Sequence, residues 1–308
     1  MLLKTTDTSG AKMKMPRITI VTPSFNQVAF LETTIRSVLR QDYPECEYII
    51  MDGGSTDGSV DIIHKYSGAL SHWESGSDDG QAGAIRKGFA LAQGDILGWL
   101  NSDDVLLPGC LRTLATEFPR DAGTVAVAGR SVFIDTANQP IGVTVPQAGR
   151  TVKNMLFWGH GLAQMATFWS RCAYEAVGGL DTQFSFSFDY DLFVRLRRVG
   201  TIRPISAYLA GFRVHPRQKT ATCLAVGLSD DRRIYEKYGP GSCTRLAALA
   251  RRVRPTQRFT EGRAWRKDRR ALQTLCQTWL AEATRAIQDV SSEPPSGGKG
   301  RAEEQERQ

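Results

Sequence analysis

The sequence predicts an α/β chain with a mostly parallel central sheet and helices on its faces, and three observations carry that prediction. From Arg17 onward short β-branched runs alternate with segments of helical period, the pattern of a parallel sheet wrapped by helices. The early β-branched runs end in polar or small residues, and in open α/β sheets ligands collect at the carboxyl ends of strands. The 308 residues, 41% hydrophobic and 23% charged, suffice for a real core, yet no apolar run approaches the roughly 18 residues of a membrane span.

RITIVT (17–22) reads as the first strand, and Asn26 to Arg40 as a helix with Phe30, Leu31, Ile35, Val38 and Leu39 on one stripe. EYIIMD (47–52) is the second strand, followed by the glycine-rich turn GGSTDGS and a helix through Ile62 and Ile63. LSHWES (70–75) is a weak third strand. A helix from Gln81 to Ala92 leads into DILGWL (95–100), the fourth. Then come a helix over 109–118, β-rich TVAVAGRSVFID (124–135) with a second run at Ile141 to Val145, and MATFWS (165–170). A helix from Tyr190 to Val199 and the strand IRPISAYLAGFRVH (202–215) complete the alternating part.

After Thr220 the pattern turns to helices with Arg-rich spacers. The expected organisation is a flexible N-terminus over 1–15, one large domain over 16–220, a helical extension over 221–290 and a disordered tail over 291–308, which is too polar and Pro/Gly-rich to pack. The six cysteines show no C-x-x-C pair or metal-ligand spacing, which fits reduced thiols, and the N-terminus lacks the apolar core of a signal peptide. A cytoplasmic location follows as the expectation. The net charge of +7 gathers in the later part, notably Arg245 to Arg270, away from the Asp-rich motifs; that stretch could touch nucleic acid or anionic lipid, but a solvated basic helix face is the plainer reading, and no nucleic-acid partner is expected.

The chemistry concentrates at strand ends. In GWLNSDDVLL (98–107), Asp103 and Asp104 repel one another, and such a pair persists most easily beside a cation. Mg²⁺ or Mn²⁺, hard ions that leave positions open for phosphate oxygens, would suit it. The plain alternative is that Asp104 caps the following helix while Asp103 faces solvent. TPSFNQ (22–27) offers backbone N–H groups and small hydroxyls, although Ser24 or Asn26 could equally be an N-cap. Asp52, ahead of GGSTDGS, could accept hydrogen bonds from ribose hydroxyls or a base N–H, or simply belong to a polar turn. Independent turns have no reason to gather carboxylates and donors on one edge.

TPSFNQ, MDGGSTDGS, GSDDGQAGAIRKGF, GWLNSDD, QMATFW, GGLDTQF, FDYDLFVRL and FRVHPRQKT, in this order, resemble the motifs of the family-two glycosyltransferases. The resemblance covers Pro16 to Thr220 and implies the A-type glycosyltransferase fold, with its Rossmann-like sheet, here carrying a C-terminal helical extension. It implies a nucleotide-sugar donor (a UDP-, dTDP- or GDP-sugar) and a glycan or lipid-linked acceptor, as in cell-surface polysaccharide synthesis. By the same resemblance Thr22, Pro23, Ser24, Asn26 and Asp52 cradle the nucleoside, and Asp78 and Arg86 reach the base or diphosphate. Asn101-Ser102-Asp103 matches the Asp-x-Asp metal motif, with Asp103 and His215 as metal ligands for Mg²⁺ or Mn²⁺ and Asp104 assisting at the sugar hydroxyls. As a lone histidine, His215 could instead be a structural hydrogen-bonder.

FDYDLFVRL supplies the implied catalytic base. Asp189 and Asp191, at i and i+2 of a helix start, point in different directions, so only one can address a reacting hydroxyl. The resemblance picks Asp189, leaving Asp191 to hold the helix N-terminus or the acceptor, with plain helix capping the alternative for both. Gln164 and Trp158 belong to the implied acceptor side, where His160 and Trp169 could also stack on sugars or sit in the core. Two departures stand out: Asn101 replaces a first acidic residue, and GSDDG leaves the choice between Asp78 and Asp79 open.

The implied reaction is an inverting transfer. Other classes fit less well: TPSFNQ has no glycine, against the G-x-G-x-x-G of a dinucleotide-dependent oxidoreductase, and no Gly- and Arg-rich nucleotidyltransferase loop follows the first strand. A non-catalytic nucleotide-sugar-binding or assembly protein would share the fold, but Asp103 and Asp189 together argue against it. The extension, with Leu246, Leu249, Trp265, Leu272, Leu275, Trp279 and Leu280 among its basic residues, is expected to form amphipathic helices. They could pack on the domain, pair two subunits as a homodimer or touch the inner face of the cytoplasmic membrane.

Overall fold

The computed structural model describes residues 15–119, 121 and 123–239. The expectations for 1–14, for the extension beyond Gly239, including Arg245 to Arg270, and for the tail 291–308 lie outside the described residues.

The chain runs β1 (Ile18–Ser24), α1 (Leu31–Leu39), β2 (Cys46–Asp52), α2 (Ser59–Tyr66), β3 (His72–Ser75), α3 (Gln81–Leu91), β4 (Ile96–Trp99) and β5 (Val105–Leu106). It continues through α4 (Cys110–Glu117), β6 (Thr124–Ile134), β7 (Pro140–Thr144), α5 (Val152–Trp158), β8 (Thr167–Ser170) and α6 (Arg171–Ala176). Last come α7 (Phe188–Val199), β9 (Thr201–Arg213), α8 (Lys219–Thr222) and α9 (Leu224–Tyr238).

Among the described residues the nine strands form one sheet in the order β3-β2-β1-β4-β8-β6-β9-β5, with β7 paired to β6. Its first half, β3-β2-β1-β4, is parallel throughout. β8 then enters antiparallel between β4 and β6, while β6 and β9 pair parallel along most of their length. β1 is buried at every residue, as expected of a parallel strand covered on both faces, which is why it reads as a β-branched run with no charged residue.

Alternation along the strands builds two cores. Ile18 and Ile20 face a cluster with Leu31 and Ile35 of α1, Ile63 of α2 and Leu111 of α4. Val21, Met51, Leu97 and Trp99 face the other, with Ile85 and Phe89 of α3, Leu192 and Phe193 of α7 and Ile234 of α9. Gly98 sets the close spacing at the centre: a Cβ there would stand 2.4 Å from the Phe168 ring. Among the described residues no helix is long and apolar enough to cross a membrane.

The helix expected from Asn26 begins only at Leu31. Asn26 takes a left-handed φ of 52°, a conformation that asparagine tolerates and a helix does not use. Its N–H donates to Ser55 Oγ at 2.8 Å and its Oδ1 accepts from Thr56 N–H at 2.9 Å, so the stretch before α1 ties the β1 and β2 loops together.

Candidate active site

The carboxyl ends of the parallel strands open on a cavity of ≈ 970 Å³. Pro23 and Ser24 of β1, Gly53 after β2 and Asp78 ahead of α3 wall one end. Asn101, Ser102 and Asp103, after β4, lie on the wall with them, as do His160, Gln164 and Asp189. A smaller pocket of ≈ 390 Å³ shares Asp78 and adds Asp52, Glu74, Asp79 and Lys87. Asp78 is thus the carboxylate of its pair that reaches the main cavity. The hydroxyl of Ser24 is buried with no hydrogen-bond partner.

Asp103 and Asp104 part company. Asp103 Oδ2 lies 3.0 Å from His215 Nε2, with the imidazole almost wholly buried and packed 4.8 Å from the Phe30 ring. Asp104 turns inward, where its Oδ1 accepts the Arg213 N–H at 2.9 Å and its Oδ2 has no partner. Burial, reinforced by the neighbouring Asp103 charge, holds the Asp104 carboxyl well above the usual carboxylate range. Arg213 Nε donates to the Asp103 carbonyl at 2.7 Å, and its guanidinium lies 4.9 Å over Phe30. The end of β9 therefore clamps the β4–β5 turn. Asp104 supports that turn from within and does not line the cavity, so it does not reach a sugar hydroxyl here; nor does it cap α4, whose N-cap is Gly109.

Asp189 occupies the first turn of α7, with a quarter of its side chain exposed, and lines the cavity. Its Oδ1 accepts the Tyr190 N–H at 2.7 Å, and its Oδ2 stands 4.0 Å from His160 Nε2. Burial pushes its pKa up to about 6; the carboxylate of Asp231 adds to the rise and Lys219 opposes it. Asp191 has no exposed side-chain surface. Its Oδ2 accepts from Arg195 Nε at 2.8 Å and its Oδ1 from the Tyr238 hydroxyl at 2.8 Å. It fastens α7 to α9, which corrects the expectation of an acceptor role.

Other expected residues land elsewhere. Thr22 is fully buried, 3.0 Å from the Tyr48 hydroxyl, and shows nothing to the cavity. Asn26 is spent on the loop bonds described above. Asp52 accepts from the N–H groups of Gly54 and Ser55 and from the hydroxyls of Ser55 and Ser75, so it shapes its own loop and faces only the smaller pocket. Arg86 is exposed on α3 outside both pockets. The Trp158 ring is half exposed and outside the cavity wall, because α5 turns it away, and Trp169 is wholly in the core. Gln164 does line the cavity, its Nε2 donating to the Trp99 carbonyl at 2.7 Å.

The sequence reading missed Gln81 and Lys219. Gln81 Nε2 donates to Asn101 Oδ1 at 2.9 Å, and Lys219 Nζ donates to Gln81 Oε1 at 2.9 Å and to the Ser185 carbonyl. Both sit inside quoted motifs, GSDDGQAG and FRVHPRQKT, but neither position has a periodicity that would single it out. Among the described residues no three His, Cys, Asp or Glu side chains converge as a ready-made metal cluster.

Residues 19–169 match the model of Glycosyl transferase family 2. The chain belongs to that family. This glycosyltransferase is 28% identical over 188 residues to an uncharacterized glycosyltransferase of Mycobacterium tuberculosis, a match taking in 58% of this chain and 68% of the relative. It is 26% identical over 197 residues to the chondroitin synthase of Pasteurella multocida, covering 63% of this chain but only 20% of that much longer protein. Among solved structures, the mannosyltransferase of Pyrobaculum calidifontis in complex with GDP-Man and Mn²⁺ superposes with a TM-score of 0.56 at 16% identity, over 91% of this chain and 80% of the other. That likeness confirms the A-type glycosyltransferase fold, a mixed sheet with flanking helices. The family-2 enzyme thus has its strand-end cavity where such a sheet places one.

Proposed function

We propose that this glycosyltransferase moves a sugar from a nucleoside-diphosphate donor to an acceptor hydroxyl by a single inverting displacement, with a divalent cation at Asp103 and His215 and Asp189 as general base. The observation that carries the reading is that Asp103, partnered by His215, and Asp189 line one cavity.

The residues fit a cation. Two adjacent ligands of an octahedral ion with bonds of about 2.1 Å stand about 3.0 Å apart, and Asp103 Oδ2 and His215 Nε2 are separated by 3.0 Å. Mg²⁺ or Mn²⁺ commonly takes one or two protein ligands and leaves the rest for phosphate oxygens and water. When bound, the ion would offset negative charge on the diphosphate leaving group. The half-buried Phe30 ring packs on His215 and the buried Arg213 holds the Asp103 carbonyl, so the pair is held in place from behind.

The donor's nucleoside is assigned to the end walled by Pro23, Ser24, Gly53 and Asp78, where the Ser24 hydroxyl is still without a partner. At the acceptor end, Asp189 takes the proton from the attacking hydroxyl at its carboxylate, while His160 borders it at 4.0 Å. A carboxylate with a pKa of about 6 is ionised at neutral pH, yet basic enough to share the proton in the transition state. UDP-, dTDP- and GDP-sugars are the donor candidates, and a polysaccharide or lipid-linked glycan the acceptor, as the likeness to chondroitin synthase supports.

Proton NMR of the first-formed glycosidic product tests the displacement. Inversion at the anomeric carbon is expected, and retention would rule out Asp189 as base of a single displacement.

A further inference from the structure

The turn that starts α7 is held almost entirely by the segment after β9. Phe186 N–H donates to Asp230 Oδ2 at 2.8 Å and Ser187 N–H to the same oxygen at 3.3 Å. The Ser187 hydroxyl donates to Asp231 Oδ1 at 2.9 Å, and Lys219 Nζ donates to the Ser185 carbonyl. Ser187 is the N-cap of α7 but caps it with no side-chain hydrogen bond of its own. The task falls to α9. Gly227 lets that helix approach, since a Cβ there would meet the Phe186 ring at 2.8 Å.

Asp230 and Asp231 are neighbouring carboxylates, each at least nine-tenths buried, an arrangement that helix stability alone disfavours. α9 itself gains little from them, because both sit well inside it and not in its first turn. What they hold lies two residues ahead of Asp189.

We infer that Asp230 and Asp231 of α9 are positioning residues for the transfer reaction, fixing the 185–187 turn and with it the place of the Asp189 carboxylate in the cavity. The inference rests on the reading of Asp189 as the base. Neither α9 carboxylate lines the cavity, so both act through α7.

The titratable groups facing Asp189 come from three elements: His160 beyond α5, Lys219 of α8 and Asp231 of α9. Asp230 shares its charge with Arg233, 3.4 Å away. Asp231 is a negative neighbour that raises the affinity of the base for a proton, while Lys219 pulls the other way. The two helices after β9 would then tune the base from opposite signs, although they lie outside residues 19–169.

The test follows the Asp189 carboxyl directly, by ¹³C NMR of the full chain labelled at aspartate carboxyls, with Asp189→Asn to assign its resonance. Asp231→Asn keeps an acceptor for Ser187 and removes the charge; the Asp189 midpoint should fall. Ser187→Ala keeps the charge and removes the tether; amide exchange over 186–190 should quicken by about tenfold. A helper role for α9 that is only structural would leave the midpoint in place. An unmoved midpoint in Asp231→Asn overturns the electrostatic part, and unchanged exchange in Ser187→Ala overturns the positioning part. If Asp231→Asn does not fold, Lys219→Met carries the charge test in reverse, with a midpoint that rises. Full turnover by Asp189→Asn would instead defeat the reading of the base, whatever the midpoint does.

Discussion

The carboxylate of Asp103, after β4, and the imidazole of His215, after β9, meet at 3.0 Å although 112 residues separate them in the chain. Sheet order explains it: β5, which follows Asp104 directly, pairs antiparallel with the end of β9, Val105 opposite Gly211. Removing His215 should therefore weaken the cation without undoing the fold. His215→Ala is expected to lower Mn²⁺-dependent donor affinity by about tenfold or more, read by calorimetry, and, because the buried imidazole also packs on Phe30, to lower the melting temperature without metal while leaving a folded protein.

Asp189→Asn keeps the shape of the first turn of α7 and removes the base. Turnover should fall by on the order of 10²–10⁴, with donor affinity near that of the wild type. Single-turnover kinetics with saturating donor separates the two quantities.

The pH profile has a definite sign. Asp189 must be ionised to accept a proton, so kcat/KM should rise with pH through about 6 and level off above it. The same shift bears on stability. The folded-state pKa lies above the ordinary value of about 3.9, so folded Asp189 binds its proton more tightly than unfolded, and stability falls as pH climbs from about 4 through about 6. Asp189→Asn should accordingly melt higher than wild type at pH 7.5 and lose that advantage below pH about 4.

Asp104 offers the contrasting case. Asp104→Ala leaves the buried Arg213 N–H without its acceptor, at a cost of about 1–3 kcal/mol, measurable by urea unfolding. The damage should appear in stability and in the placing of Asp103, not in the pH dependence assigned to Asp189.

Trp158→Ala should leave kcat/KM within about twofold, because its ring stands outside the cavity wall. Gln164→Ala should lower kcat/KM, since it removes the side chain that reaches both the Trp99 carbonyl and, at 3.5 Å, the Asn101 amide. Equal losses in the two variants would mean that the acceptor side is misplaced.

Much of the fold was legible because hydrophobic period speaks directly to which face is covered. The strands ITIVTPS and CEYIIMD and the helix through Ile85 and Phe89 fell within a residue or two of expectation. The antiparallel insertion of β8 was not legible, since MATFWS has the same composition as a parallel strand and its direction is set by the loop before it. In the site, ordered motifs led to Pro23, Ser24, Asp78, Asn101, Ser102, Asp103, Gln164 and Asp189 on one cavity wall. Side-chain direction decided the rest: Thr22 and Asp104 alternate inward from residues that face the cavity, and Asp191 follows Asp189 by two on a helix and so faces the core. Lys219 escaped notice because its role depends on where α8 lies, and that is a long-range property.

The central claim is that Asp103 serves a cation bound together with a nucleoside diphosphate. Calorimetry of UDP, GDP and dTDP against the wild type and Asp103→Ala, each with Mn²⁺ and with EDTA, tests it most directly. The account predicts that one diphosphate binds the wild type with Mn²⁺ and loses at least about tenfold in affinity with EDTA, and that Asp103→Ala shows no difference between the two conditions. Binding of equal strength with and without the metal, or an Asp103→Ala protein with its metal dependence intact, would contradict it.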